Sequence, residues 1–300
     1  MQIKLAHSPD ADDAFMFYAL ETGKVPTGDL MIEHVREDIE SLNQKAEQGL
    51  YHVTALSFHA YPAVADKYAL MTVGGSVGDG YGPIVVAAKK MKPHQLKKKL
   101  MAIPGKKTTA FLVMRMVEPT IGYVIRPFDK ILEIVKEGKA ETGLVIHEGQ
   151  LTYEAMGLFK VIDLGKWWHD ETGLPLPLGA NAVRKDLPAD VQKRLASLIR
   201  QSVQYALDHR EEAVAYALSF ARGLEPEKAG QFIGMYVNHW TLDYGHKGRK
   251  SVITLLSRAH EMGLLPESPR IDWVSPEEPD QEETAPEEST EKLPFPNETS

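Results

Sequence analysis

Apolar residues recur in short runs along the first half of the chain, and the period of the pattern switches repeatedly between two and about 3.6. Strand-like runs at residues 3–6, 30–35, 52–56 and 68–73 are separated by helical patterns over 14–21, 39–48 and 59–64. This βαβα rhythm predicts an α/β layer with a mainly parallel sheet. A second set begins near Leu100, with strands at 100–103, 121–124, 142–146 and 159–164 and helices from Thr108 or Thr109 to Val117 and around 131–136. From Pro188 the pattern is helical, with Val191, Leu195, Leu198, Ser202 and Tyr205 on one face and Pro188 suited to a first turn. Further helices are predicted over 211–221, 225–237 and 248–262, and the stretch 165–178, with Trp167, Trp168, Pro175 and Pro177, reads as a rigid aromatic loop over a cleft or capping a lobe.

If the strand at 84–88 leaves a first lobe and the extended run 178–183 returns to it, the second lobe is an insertion on two crossings. The predicted organisation is lobe 1 from 1–88 plus 180–273, lobe 2 from 89–179, and a tail from 274–300. Two crossings make a hinge, and a cleft between two α/β lobes is a common small-ligand site because strand ends and helix N-termini converge there.

Composition narrows the chemistry. At 300 residues with 43% hydrophobic content the chain can bury a substantial core, and it has no run approaching the roughly 20 apolar residues of a membrane span. There is no cysteine, so disulfides, thiolate ligands and thiol nucleophiles drop out. The net charge of −8 comes from the last 26 residues, where nine acids and one lysine lie among five of the 19 prolines. The remaining body carries 33 charges of each sign, which gives no field to attract nucleic acid. The tail is expected to be disordered, as a solvating extension or an acidic interaction arm. The first residues show no export signal, so a cytoplasmic location is expected; the sequence does not fix the oligomeric state.

Five segments carry candidate chemistry. In 7–13 (His-Ser-Pro-Asp-Ala-Asp-Asp), Ser8, Asp12 and Asp13 read as N-cap and first-turn residues or as a ligand loop. Ser57, where a strand meets a helix, either caps that helix or presents an anion site. Gly74 to Pro83 is too irregular for a dinucleotide loop and reads first as a hinge-flanking turn. The run 104–109 (Pro-Gly-Lys-Lys-Thr-Thr) lacks the first glycine of a nucleotide-binding loop, having Leu100 there. What survives is two lysines and two threonines, Thr108 and Thr109, at a helix N-terminus, equally suited to capping or to holding one carboxylate or phosphate. His147 ends an apolar strand on the edge of the inferred cleft, as a hydrogen-bonded structural residue or as the best available general base. No histidine has an i+3 or i+4 partner of the metal-ligating kind, so no metal site is expected.

The segments 8–20, 38–43, 105–110, 146–148 and 172–179 together resemble the 1,4-dihydroxy-6-naphthoate synthase family of menaquinone biosynthesis, over about residues 3 to 273. The resemblance implies a two-lobe, type II periplasmic-binding-protein-like fold with a central cleft. It also implies a lyase that converts cyclic dehypoxanthine futalosine to 1,4-dihydroxy-6-naphthoate without metal or redox cofactor. By the same resemblance His147 matches the catalytic base, and Ala55, Leu56 and Ser57, together with Thr109 and Ala110, match substrate-binding segments. The chain departs from the family at 10–14, which usually reads Cys-Pro-Asn-Asp-Thr, and at Ala55, where lysine is frequent. Rival readings are chorismate dehydratase of the same pathway, or a non-catalytic binding protein for a small organic acid.

Overall fold

A computed structural model describes residues 1–221, 225–267 and 270–277. The first part of the chain forms β1 (Gln2–His7), α1 (Ala11–Glu21), β2 (Met31–Arg36), α2 (Ile39–Ala46), β3 (Val53–Ser57), β4 (Tyr68–Met71), β5 (Ser76–Gly78) and β6 (Ile84–Ala87). The middle forms β7 (Leu100–Ile103), α3 (Thr109–Val117), β8 (Gly122–Ile125), α4 (Ile131–Lys136), β9 (Thr142–Val145), β10 (Phe159–Asp163), α5 (Leu164–Thr172) and β11 (Leu176–Arg184). The last part is helical, with α6 (Ala189–Asp208), α7 (Arg210–Ala217), α8 (Pro226–Tyr236), α9 (His239–Leu242) and α10 (Gly245–Glu261), closed by β12 (Trp273–Val274).

The strands form two sheets. The larger runs β12-β4-β11-β3-β1-β2 with β5 also on β11, and the smaller runs β10-β6-β9-β7-β8. β1 pairs in parallel with β2 and β3, as the rhythm predicts, but β11 returns antiparallel between β3 and β4, so the larger sheet is mixed. β6 pairs with β9 and β10 in the smaller sheet. The first crossing therefore lies before Ile84, not after residue 88, and the return lies before Leu176. An apolar strand such as 84–87 is equally at home in either core, and only pairing decides.

The stretch 165–178 is largely the helix α5, with Asp163 accepting from the N–H groups of Gly165 and Lys166 at 3.0 Å each. Trp168 is fully buried, its Nε1 donating to the Pro175 carbonyl at 3.1 Å, so this segment caps a lobe. The helix expected over 59–64 is a short 3-10 turn, Tyr61–Val64. One apolar core runs continuously through both sheets, from Leu56, Phe58 and Leu70 to Val85, Met101 and Leu144, with Phe111, Trp168 and Leu255 contributed by α3, α5 and α10. A second lies under α1, α6, α7 and α8. No helix among the described residues is long and apolar enough to cross a membrane. Of the tail, only its first residues are described: the Glu277 N–H donates to Ser197 Oγ at 2.8 Å, and the rest of the expected acidic extension lies outside the described residues.

Candidate active site

A cavity of about 120 Å³ lies between the two sheets and opens toward solvent. Ser8, Asp12, Ala55, Leu56, Ser57, Thr108, Thr109 and Ala110 all line it. The loop after β1, the end of β3 and the start of α3 thus converge from both sheets, because each lies at a strand's C-terminal end or a helix N-terminus.

The smaller sheet contributes the start of α3. Thr108 is its N-cap, with Oγ1 accepting from the Phe111 N–H at 3.3 Å, so its hydroxyl is spent on capping. Thr109 Oγ1 donates to the Leu178 carbonyl of β11 at 2.6 Å. What this end offers a ligand is the first-turn N–H groups of Thr109 and Ala110, which have no intrahelical acceptor. The two lysines do not join them. Lys107 pairs with Glu47, and the Lys106 ammonium lies over the Tyr123 ring. Glu40 of α2 instead fills the loop, its carboxylate accepting from the N–H groups of Lys106 and Lys107 at 3.1 and 3.0 Å. A Cβ at Gly105 would collide with that carboxylate and push it out of the loop. The loop that looks like an anion nest in the sequence holds the protein's own anion.

Across the cavity, Asn43 grips Ser57 at two points. Its Oδ1 accepts from the Ser57 N–H at 2.9 Å and its Nδ2 donates to Ser57 Oγ at 3.0 Å, which leaves the serine hydrogen for a ligand. With Ala55 on this wall, the cavity is lined without lysine or arginine. The loop after β1 is instead acidic. Asp10 is the N-cap of α1 without a side-chain cap bond, and accepts from Ser8 Oγ at 2.6 Å; Asp13 reaches back to the Ser8 N–H at 2.6 Å. Capping is thus a minor duty of this loop. Asp12 faces the cavity and is half-buried. Burial pushes its carboxyl well above the usual range, and Asp13, Asp10 and Glu148 add to the push.

His147 follows β9 and is buried, with 6% of its surface exposed. Ile146 lines the cavity, and His147 stands one residue behind that wall. Its Nδ1 accepts from the Gly149 N–H at 3.0 Å, lies 3.9 Å from a Glu148 oxygen, and its ring meets Phe128 edge-on at 5.6 Å. A neutral ring held this way carries its proton on Nε2.

Two lining residues escape the sequence reading. Asn181 on β11 donates through Nδ2 to the Gly74 carbonyl at 2.7 Å, and its buried Oδ1 has no hydrogen-bond partner among the described residues, which makes it an acceptor for a ligand hydroxyl. Its one signal is a lone amide within an apolar strand. Tyr236 at the end of α8 donates to Gln150 Oε1 at 2.8 Å, joining the helical block to the turn after His147; burial pushes its phenol far above the ordinary range, so it keeps its proton.

The comparisons agree with this architecture. The alkanesulfonate-binding protein SsuA from Xanthomonas axonopodis pv. citri, solved with MOPS, superposes with a TM-score of 0.69 at 12% identity, over 89% of this chain and 95% of its own. The fold is therefore that of the type II-like periplasmic binding proteins. Protein AF1704 from Archaeoglobus fulgidus reaches a TM-score of 0.85 at 45% identity, covering 88% of this chain and 98% of that one. A Thermus thermophilus protein named 1,4-dihydroxy-6-naphthoate synthase is 40% identical over 268 residues, 89% of this chain and 97% of its own. The menaquinone biosynthesis family profile matches residues 3–261, which takes in all ten helices described above and every strand but β12, and the chain belongs to that family.

Proposed function

We propose that this chain is a carbon–carbon lyase, a 1,4-dihydroxy-6-naphthoate synthase that acts in the cytoplasm on cyclic dehypoxanthine futalosine. The observation that carries the reading is the convergence of eight candidate binding residues on one cavity, in a chain 40% identical to a relative of that name. The cavity has two chemically distinct ends. The first turn of α3 and the Ser57 hydroxyl suit the substrate carboxylate, whereas Asp12 and the Asn181 amide oxygen suit the hydroxyls of its ribose-derived part.

His147 is the general base. It removes a proton from an acidic C–H of the cyclic substrate, a carbon–carbon bond breaks, and the new aromatic ring supplies the driving force. To accept that proton at Nε2 the ring must take the Nδ1–H tautomer and release the Gly149 N–H, a bond of about 1 kcal/mol. Glu148, 3.9 Å from Nδ1, then stabilises the imidazolium. Because His147 lies one residue behind the wall, substrate binding must also bring the ring to the cavity face. Supplying cyclic dehypoxanthine futalosine and chorismate separately, with products read by mass spectrometry, tests the assignment. The expected result is dihydroxynaphthoate from the first alone. Turnover of chorismate would make the chain the sibling dehydratase, and a ligand recovered unchanged from both incubations would make it a binding protein.

A further inference from the structure

Spacing along the chain gives no metal motif, but the fold gathers a cluster that spacing cannot show. His7 ends β1, Glu21 ends α1 and His34 lies on the edge strand β2, and none of the three lines the cavity. His7 Nε2 is 3.0 Å from Glu21 Oε1, His34 Nδ1 is 3.4 Å from the same oxygen, and the two imidazole nitrogens are 3.4 Å apart. Three ligand atoms therefore form a nearly equilateral triangle. Ligands bound tetrahedrally at 2.0–2.1 Å stand about 3.3 Å from one another. We propose that His7, Glu21 and His34 bind a divalent transition-metal ion, with zinc the best match to two imidazoles and a carboxylate.

The surrounding bonds favour this use of the cluster. His7 Nδ1 lies 3.0 Å from the Ser8 carbonyl, which can only accept, so Nδ1 carries the proton and Nε2 turns a lone pair toward Glu21. Stacking on Phe17, with centroids 4.5 Å apart, fixes the ring. Two lone pairs 3.0 Å apart need a positive charge between them. A proton would bridge only His7 and Glu21, whereas an ion over the face of the triangle uses all three atoms. Glu21 is divided in the same sense. Arg36 and the Tyr216 hydroxyl hold Oε2, leaving Oε1 to the two rings. His34 Nε2 is buried without a partner among the described residues, so nothing else in the fold fixes that ring's tautomer. Water would complete the coordination, and the ion would tie down the residue before Ser8, where the cavity loop begins.

The test is calorimetric titration of zinc into the chelator-stripped full-length protein, beside His34→Ala and Glu21→Gln. The expected result is one site per chain in the wild type, weakened more than about tenfold in both variants, and a tetrahedral cobalt(II) absorption spectrum that both variants lose. His34→Gln serves if His34→Ala does not fold by circular dichroism. Equal zinc affinity in the wild type and the His34 variant, or no binding by the wild type, would overturn the site and leave a proton-bridged ion pair.

Discussion

Asp13 shows how much a cavity costs at the scale of one residue. Burial raises its carboxyl from 3.8 to about 6, with Asp10 adding to the rise while His7 and the Ser8 N–H oppose it. An acid whose folded value is raised binds its proton more tightly when folded, so stability is greatest at low pH and is lost as pH rises from 3.8 to about 6. The shift from 3.8 to about 6 corresponds to on the order of 3 kcal/mol withheld above that window. Asp13→Asn keeps an oxygen for the Ser8 N–H and removes the charge. Its melting temperature at pH 7.5 is therefore expected to exceed that of the wild type, and the fall in stability between pH 4 and 6 is expected to flatten; thermal scans across pH check both. The sequence places Asp12, Ser57 and Thr109 at the ends of elements, and such ends point into clefts, which makes them legible. Asn181 is not, because nothing local says which face of an apolar strand borders a cavity.

Among the elements, the sequence pattern predicts α4 over the residues it occupies, and α3 from its capping threonine. α5 is hidden because it is short and is followed closely by Pro175 and Pro177, which make the whole stretch read as a loop. β5 is hidden inside a glycine-rich run that pairs with β11. That run explains a further requirement. Gly165, in the first turn of α5, packs so closely on the backbone of Tyr81 and Gly82 that a Cβ would collide with the Tyr81 carbonyl. Gly165→Ala must move the crossing segment that carries Pro83 to the cavity wall. The expected cost is about 1–3 kcal/mol or somewhat more, with KM raised; urea unfolding and steady-state kinetics measure the two effects.

Across the whole molecule the two sheets share one apolar core, and polar ties cross between them: Glu40 to the loop before α3, Thr109 to β11 and Tyr236 to Gln150. Two lobes joined in this way should unfold together. Calorimetry is expected to give one transition with equal calorimetric and van't Hoff enthalpies, and two resolved transitions would mean independent lobes. The βαβ rhythm reveals two α/β layers, but not that β6 belongs to the smaller one or that β11 reverses direction, because strand pairing is a property of the assembled sheet. The same assembly brings Ser57, Thr109, Asp12 and Ile146, the neighbour of His147, around one cavity. The most direct measurement is turnover of cyclic dehypoxanthine futalosine by His147→Ala beside the wild type, with the melting temperature of each recorded. Loss of about 10²- to 10⁴-fold in kcat with an intact fold is the expected result, and a folded variant that turns over at the wild-type rate would contradict the account.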